Sequence, residues 1–299
     1  MGDDADRDGG GNTAGFDGTE VYLKQYLDLL RDVLENGVRK PTRAKLKSTG
    51  QNIDAISVFG RQLRFDLRQG FPLVTTKSVS FKSIAHELIW FLRGSTNIKY
   101  LVDNGVNIWT AWSDGRGELG PVYGSQWRSW KACDGRSTDQ IQRIIDGINH
   151  VVDDPQSSDG RRLILSAWNV ADLPKMALPP CHFASTFNVT NGLLSCSTKI
   201  RSNDLFLGAP YNIASYALLT HILAHVTGLG VGDLVYVIDD AHIYSNHLDS
   251  VAEQLNREPL ALPRLVLSPS LTSIDELNIN HINLENYESH PRLDGEVAV

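Results

Sequence analysis

The dipeptide Asn191-Gly192 restricts the possible folds of this chain more than any other part of its sequence. It separates two runs in which apolar and polar side chains alternate. The alternate positions are Phe183, Ser185, Phe187 and Val189 before it, and Leu194, Cys196, Thr198 and Ile200 after it. Asn-Gly between alternating runs is the strongest short-range signal for a β-hairpin, because both residues tolerate the positive φ angles of a two-residue turn. The sequence therefore predicts an antiparallel hairpin here.

Helical and strand patterns surround this hairpin. Before it, apolar spacing predicts helices around residues 26–34, 81–91 and 141–151, and strands over 55–66 and from 161. After it, the patterns predict a turn at 228–233, a strand over 233–238, a strand near 264, and helices over 211–227 and 245–256, the first of them apolar and central. Hairpins mixed with helices, without strict βαβ alternation, predict an α+β fold in which helices cover one mixed sheet.

Charge and composition narrow the classes of function. A chain of 299 residues can bury a core without disulfides. Its net charge of −7 argues against non-specific binding to nucleic acid or to an anionic membrane. Three cysteines are too few for a disulfide framework, and no apolar run is long enough to span a membrane, so we expect a cytoplasmic protein. Residues 1–16 are acidic and glycine-rich, which predicts a disordered tail.

Two further patterns can be interpreted either as ordinary surface or packing features or as ligand-binding sites. Residues 38–54 are polar and basic, which fits a solvated loop or an anion-binding loop. His221 and His225 lie one helical turn apart, but the sequence shows no third ligand beside them. We therefore expect no metal site.

The segment Pro179-Pro180-Cys181-His182 marks the start of the hairpin. With Asn191-Gly192 as the turn, the two strands pair position 181 roughly with position 202. That register places the guanidinium of Arg201 and the hydroxyl of Ser202 beside the sulfur, and a neighbouring cation lowers the pKa of a thiol and makes it nucleophilic. A buried structural cysteine is the other interpretation, and spacing alone leaves both open.

Long segments of the chain carry a likeness to one enzyme family. They read GFPLVTTK, HELIWFLRGSTNI, LGPVYGSQWRSW, RRLILSAWNV, MALPPCHF, RSNDLFLGAPYNIASYALLTHILA and DDAHIYSNHLDSVAEQLNREP. From about residue 20 to the C-terminus they resemble the thymidylate synthase family. The resemblance implies one thymidylate synthase-like catalytic domain over residues 17–299, and a homodimer that packs through its sheet. It also implies 5,10-methylenetetrahydrofolate as co-substrate, and neither a metal nor a nucleic acid as partner.

The resemblance implies covalent alkylation at C5 of a pyrimidine nucleoside monophosphate. C5 of uracil is a weak nucleophile, so a thiolate first adds at C6 and turns the ring into an enolate. Cys181 matches the family's nucleophile, and Arg201 matches the residue that activates this thiol. Glu87 matches the acid that organises water and moves protons near O4. Tyr123 and His182 match further residues that line the site.

The same resemblance assigns the groups that bind the nucleotide. Asn212 matches the amide that recognises the base, and it favours dUMP because its oxygen can accept from uracil N3–H while its nitrogen donates to O4. His242 and Tyr244 match residues that hold the 3′-hydroxyl of the sugar. The residues matched to the 5′-phosphate are Arg43, Arg161, Arg162, Arg201 and Ser202. Arg161 and Arg162 are expected to reach the site of the partner subunit.

Folate-binding residues are implied in the same way. Asp204 matches the carboxylate that binds the pterin, and Trp109 and Trp112 match the aromatic wall beside it. The remaining positions matched to the folate site are Ile108, Gly208, Tyr211 and Lys77.

Several segments depart from the family pattern. PTRAKLKSTGQNIDAISVFG replaces the family's Arg-Thr-Gly-Thr loop, and Arg43 is the best candidate for the loop arginine. Ile200 and Ile238-Asp239 also differ from the usual residues. Two products therefore stay open, because the outcome depends on water exclusion and folate retention. A thymidylate synthase would form dTMP and dihydrofolate, which both tryptophans favour. A 5-hydroxymethylase would add water instead, giving 5-hydroxymethyl-dUMP or a related UMP or CMP product.

Overall fold

The computed structural model describes residues 18–297, so the predicted tail over residues 1–16 lies outside the described part of the chain. The helices are α1 (Gly18–Asn36), α2 (Phe81–Leu92), α3 (Lys99–Asp103), α4 (Tyr123–Ser129), α5 (Gln140–Asp153), α6 (Gly208–Val226) and α7 (Leu248–Leu255). The strands are β1 (Val38–Lys45), β2 (Asn52–Asp66), β3 (Trp130–Lys131), β4 (Ser137–Thr138), β5 (Ile164–Ser166), β6 (His182–Thr190), β7 (Leu193–Asp204), β8 (Gly230–Tyr244), β9 (Arg264–Leu267) and β10 (Ile282–Glu285).

One mixed sheet organises the chain. Among the described residues it has six strands in the order β1-β2-β8-β7-β6-β5. Neighbouring strands run antiparallel except β7 and β8, which are parallel. A parallel pair needs a long crossover, and α6 provides it. The α+β class with a mixed sheet is confirmed. The strand predicted near 264 is β9, which pairs with β10 outside this sheet.

The predicted hairpin is present as β6 and β7, with one change of register. Asn191 and Gly192 have φ angles of 53° and 73°, as a two-residue turn requires. Thr190 pairs with Leu193 and the register holds until a bulge between His182 and Ala184. The bulge adds one residue to β6, so the N–H of Arg201 bonds to the carbonyl of Cys181 at 2.9 Å. The prediction that position 181 pairs with 202 is therefore wrong by one residue.

Helix α6 lies at the centre of the core. It packs against β7 and β8, while α1 packs against β2 and β8. Apolar residues surround α6 on all sides, and Ala214, Leu218 and Ile222 are each 0% exposed. Burial on every side explains why its sequence lacks a polar stripe. The first turn of α6 therefore belongs to a firmly packed element.

The strand residues that alternate with the buried set form a second, partly exposed sheet face. On β7 these are Ser195, Ser197 and Lys199, and on β8 the half-buried Val235 and Val237 lie beside them. The dimer contact expected from the family resemblance would use this face, and it stays a prediction.

Other local predictions need correction. Residues 38–54 form β1, a turn and the start of β2, so the predicted loop is wrong. The segment has the polar composition of a loop because most side chains of β1 are exposed. The strand predicted from 161 begins only at Ile164, because a 3-10 helix ends at Arg161. The turn predicted at 228–233 gives way to β8 at Gly230, and β8 continues to Tyr244. The helix predicted from 245 starts as a 3-10 turn over Ser245–His247.

Candidate active site

Cys181 is fixed by its backbone on both sides. Its N–H donates to the hydroxyl of Tyr123 at 2.8 Å, and its carbonyl accepts from the N–H of Arg201 at 2.9 Å. Pro179 and Pro180 restrict the chain just before it. The position of the half-buried sulfur is thus set by helix α4, by β7 and by the bulge of β6.

The side chain of Arg201 lies over this segment. Its Nε donates to the carbonyl of Pro180 at 2.8 Å, and Nη2 donates to the carbonyl of Pro179 at 2.9 Å. The same Nη2 is 3.9 Å from Sγ of Cys181. Two neutral carbonyl acceptors leave the positive charge of the guanidinium uncompensated by a carboxylate within this cluster. The predicted cation beside the sulfur is therefore present.

Burial has the larger effect on the thiol. It raises the pKa of Cys181, and the charge of Arg201 only partly lowers it again. The sequence predicts a net lowering, which is wrong for the free protein, because desolvation of the thiolate outweighs one cation at this distance.

His182 belongs to an aromatic group behind the cysteine. Its ring stacks on Tyr123 with centroids 4.0 Å apart, and its Nδ1 lies 2.8 Å from the hydroxyl of Tyr216. Burial lowers the pKa of His182 to about 3, so the ring is neutral at pH 7. Sequence reasoning missed Tyr216, although its spacing of four residues from Asn212 places both on one helix face.

Glu87 is the buried acid of the site. Trp109 donates its indole N–H to Oε1 of Glu87 at 2.6 Å, and burial raises the pKa of Glu87 to about 7. The rings of Trp109 and Trp112 meet edge to face, with centroids 5.9 Å apart. Trp109 links Glu87 to the cysteine segment, because its ring meets that of Tyr123 with centroids 6.0 Å apart and the Tyr123 hydroxyl accepts from the N–H of Cys181. A carboxyl with this pKa can exchange protons near neutral pH.

Asn212 lies in the first turn of α6, and two residues that sequence reasoning missed determine its surroundings. Its Oδ1 accepts a hydrogen bond from Nδ2 of Asn203 at 3.0 Å. The hydroxyl of Tyr236 donates to Oδ1 of Asn203 at 2.7 Å. In the β7–β8 register Tyr236 pairs with Thr198 and Asn203 pairs with Ala241, so this contact spans five positions along the sheet and no local sequence pattern indicates it.

Asp204 combines a structural and a potential binding role. Its Oδ1 accepts backbone N–H bonds from Phe206 at 2.9 Å and from Leu207 at 3.2 Å, which shapes the turn into α6. Lys77 is buried, donates to the carbonyl of Phe206 and lies over the Phe206 ring. Burial lowers the pKa of Lys77 to about 7. Lys77 thus has an internal partner, and its folate contact stays a prediction.

The residues matched to the sugar lie at the end of β8. The rings of His242 and Tyr244 meet edge to face, with centroids 4.9 Å apart. Burial raises the pKa of Tyr244 to about 12, the charges of Asp204 and Cys181 add to this effect, and Arg43 opposes it. Arg43 is exposed on β1, the edge strand of the sheet.

The remaining predicted residues are placed as follows. Ser202 is half-buried and pairs with Asp240, and Gly208 begins α6. Ile108 and Tyr211 are half-buried and pack against the core. Arg161 and Arg162 are exposed, and Arg162 donates to the hydroxyl of Ser158 at 3.0 Å. Across residues 18–297 no hydrogen bond or ion pair joins either arginine to Cys181 or Arg201. Their predicted role in a partner's site is not tested by one chain.

The C-terminal segment contacts the hairpin of β1 and β2. The carboxylate of Glu296 accepts from the N–H and the hydroxyl of Ser48, both at 2.7 Å. The carbonyl of Glu296 lies 3.0 Å from Nε2 of His247, and Nδ1 of His247 lies 3.9 Å from Asp204. A continuous set of contacts thus links the end of the described chain to the carboxylate matched to folate.

None of the helices described within residues 18–297 has the length and hydrophobicity needed to cross a membrane. Over the same residues, no three histidine, cysteine or carboxylate side chains are grouped as metal ligands would be. In a comparison with protein families, the family model described as thymidylate synthase matches residues 24–299, nearly the whole chain.

Proposed function

The chain belongs to the thymidylate synthase family, a methyltransferase family, and we propose that it methylates C5 of dUMP with 5,10-methylenetetrahydrofolate, giving dTMP and dihydrofolate. The observation that carries this proposal is the guanidinium of Arg201, 3.9 Å from Sγ of Cys181, with the buried acid Glu87 linked to the cysteine through contacts of Trp109 and Tyr123. A nucleophile, a cation and an acid with a pKa of about 7 are the groups that addition to a pyrimidine ring needs.

Cys181 acts as the nucleophile at C6. Its thiol gives a proton to solvent water, the S–C6 bond forms, and the electron pair of the C5–C6 double bond moves into the enolate, whose O4 takes the negative charge. Arg201 stabilises the thiolate before addition and the nucleotide phosphate after binding. Glu87 supports the charge that develops at O4 by directing a proton or a water molecule toward it. Tyr123 and neutral His182 hold the cysteine segment in place.

The folate site fits the proposed co-substrate by its chemistry. Trp109 and Trp112 offer aromatic surface for a flat ring, and the carboxylate of Asp204 suits the N–H donors of a pterin. Methylenetetrahydrofolate supplies the one-carbon unit and, for methylation, a hydride. The aromatic wall next to Glu87 excludes water from the reacting ring, which methylation requires.

We propose that phosphate binding needs two copies of the chain. In this proposal one chain contributes Arg201, Ser202 and Arg43 to the phosphate site. The partner subunit contributes its arginine pair, Arg161 and Arg162, which is exposed on the surface of each chain. Clustered arginines suit a phosphate dianion because each provides a planar fork of donors. We place the enzyme in the cytoplasm, where free cysteines such as Cys133, Cys181 and Cys196 persist.

Hydroxymethylation is the second candidate. The observation that favours it is the β1–β2 hairpin, which departs from the family's loop and is bonded to the C-terminal segment through Ser48 and Glu296. A different closure over the folate would admit water, and water would then add to the exocyclic carbon of the base.

Analysis of the product from dUMP and methylenetetrahydrofolate tests the proposal. We expect the base to gain one CH2 group, with one dihydrofolate formed for each nucleotide. A gain of CH2O without folate oxidation would establish the hydroxymethylase. If no product forms, UMP, dCMP and CMP are assayed next. If the enzyme converts none of these nucleotides, the proposed function is contradicted.

A further inference from the structure

An asparagine amide does not by itself distinguish uracil from cytosine. Uracil presents a donor at N3 and an acceptor at O4, which match an oxygen and an NH2 group of the amide. Cytosine presents an acceptor at N3 and a donor at N4, which match the same amide after it rotates by half a turn. Recognition of uracil by Asn212 therefore requires a group that fixes the orientation of its amide.

Tyr236 and Asn203 form such a group. Tyr236 is 0% exposed and Asn203 is 3% exposed, so neither exchanges its partner with bulk water. The Tyr236 hydroxyl donates to Oδ1 of Asn203 at 2.7 Å. Burial keeps the phenol protonated by raising its pKa well above the usual value. Within the described part of the chain, Asn203 is the acceptor that this proton finds.

The donor of Tyr236 fixes Asn203, and Asn203 fixes Asn212. If the Asn203 amide rotated, its NH2 would face the phenol and the buried hydroxyl proton would lose its acceptor, which is unfavourable. Nδ2 of Asn203 therefore points to Asn212, where it donates to Oδ1 at 3.0 Å. A rotated Asn212 would place two NH2 groups against each other. Its oxygen is held where one lone pair meets Asn203 and the other stays available to a base.

We propose that Tyr236 and Asn203 are positioning residues that make this site select uracil, because their hydrogen bonds hold the amide of Asn212 in its uracil-binding orientation. The inference rests on the proposed function for the role of Asn212, and it goes beyond that function by naming the groups that determine base specificity.

The first turn of α6 has space for this arrangement. A Cβ at Gly208 would lie 3.3 Å from Nδ2 of Asn203 and 3.7 Å from Oδ1 of Asn212. The missing side chain therefore lets the two amides meet directly beside the helix backbone.

The variant Tyr236→Phe tests the donor at the start of this series. It removes one hydroxyl and keeps the ring, so both amides become free to rotate. We expect kcat/KM to change for the two bases in opposite senses, and the ratio for dUMP over dCMP to fall at least about tenfold, equivalent to about 1.4 kcal/mol. The matched control is Tyr26→Phe, which removes a buried hydroxyl bonded to the carbonyl of Leu205. Its ratio stays at the wild-type value.

Asn203→Asp tests the direction of the effect. A carboxylate accepts from Tyr236 and offers no donor to Asn212, so the NH2 group of Asn212 turns toward it. We expect this variant to prefer dCMP to dUMP in kcat/KM and in equilibrium binding. Thermal unfolding of each variant reports whether it is folded, and Tyr236→Phe gives the result if Asn203→Asp is not.

The outcomes separate the two proposals. An unchanged base ratio in Tyr236→Phe, with wild-type enzyme selective for dUMP, would overturn the inference and leave the proposed function intact. Wild-type enzyme that prefers cytosine nucleotides would also overturn it. If wild-type enzyme acts on no pyrimidine nucleotide, both fail. If Tyr236→Phe lowers kcat/KM for dUMP and for dCMP by the same factor, Tyr236 has a structural role only.

Discussion

Burial determines the protonation states of the residues around Cys181. It raises the pKa of the thiol, raises that of Glu87 to about 7 and lowers that of His182 to about 3. At neutral pH the thiol and the imidazole are uncharged, and Glu87 is near the midpoint of its titration. Arg201 is therefore the dominant fixed charge beside the sulfur, and it acts on whichever anion enters.

Cys181 is expected to be indispensable for turnover but not for nucleotide binding. A serine hydroxyl is a far weaker nucleophile than a thiolate, so Cys181→Ser lowers kcat by at least about a thousandfold. The dissociation constant for dUMP, measured by calorimetry, changes little. Cys133→Ser is the control, since Cys133 is exposed, and it keeps wild-type kcat. Normal turnover in Cys181→Ser would rule out the covalent step.

Glu87 gives the stability of the protein a defined pH dependence. Its pKa rises from 4.5 in the unfolded chain to about 7 in the fold, so the folded state binds more protons between these values. The stabilisation that protonated Glu87 gives is complete below about pH 4.5 and is lost as the pH rises to 7. Glu87→Gln removes this titration. From about pH 5 to about pH 8, the free energy of unfolding of the variant should rise relative to that of wild type by up to about 3 kcal/mol.

Urea unfolding at both pH values measures that difference. The exposed Glu35 on α1 provides a control, because Glu35→Gln should show the same offset from wild type at both pH values. A constant offset for Glu87→Gln as well would mean that Glu87 is ionised throughout this range.

At the scale of elements, turn chemistry made the hairpin predictable. Asn191-Gly192 is one of few dipeptides suited to two consecutive positive φ angles, and alternating runs flank it. The bulge near Phe183 was not predictable, because it responds to the fit of β6 against β5 and β7. That single extra residue places Arg201, and not Ser202, opposite Cys181.

Two glycines with almost the same φ angle should respond differently to alanine. Gly192 has φ +73° and open space around the Cβ position, so Gly192→Ala costs only the backbone strain of about 1 kcal/mol. Gly120 has φ +72°, but a Cβ would lie 2.1 Å from the carbonyl oxygen of Lys175. Gly120→Ala should therefore cost more than about 3 kcal/mol. Urea unfolding midpoints measure both, and equal losses would contradict the steric argument.

The expected roles of Cys181, Glu87 and Asn212 came from long segments that resemble the family, and these roles stay predictions. Asn203 and Tyr236 were missed because their side chains meet across 33 positions of sequence, and either residue alone resembles an ordinary core residue. The basic segment 38–54 was misinterpreted for a related reason. Edge strands expose their side chains, so β1 has the composition of a loop.

At the scale of the whole molecule, the site is expected to combine residues of two chains. Arg161 and Arg162 are exposed, and within residues 18–297 no hydrogen bond or ion pair joins either of them to Cys181. Each active site of a homodimer would then need the cysteine of one copy and this arginine pair of the other. Two defective variants should therefore correct each other when they share a dimer.

Subunit mixing tests this arrangement. Cys181→Ala and the double variant Arg161→Ala/Arg162→Ala are each expected to lose activity. Random mixing makes about half of the dimers mixed, each with one intact site of two, so about a quarter of the wild-type activity returns. Mixing Cys181→Ala with wild type in the same proportions should leave about half of the wild-type activity with or without exchange, so exchange itself is demonstrated by the mass of mixed dimers that carry one tagged subunit. No recovery after demonstrated exchange would place the arginines outside the partner's site.

The raised pKa of Cys181 also bears on how the protein withstands oxidative chemistry. Peroxides and alkylating agents react with thiolates, and burial keeps this sulfur largely as the thiol. In the free protein the sulfur of Cys181 is therefore a thiol that reacts slowly with oxidants. Cys133, by contrast, is exposed on the surface. The desolvation that makes deprotonation of Cys181 harder should therefore also lengthen the time for which its thiol survives exposure to oxidants.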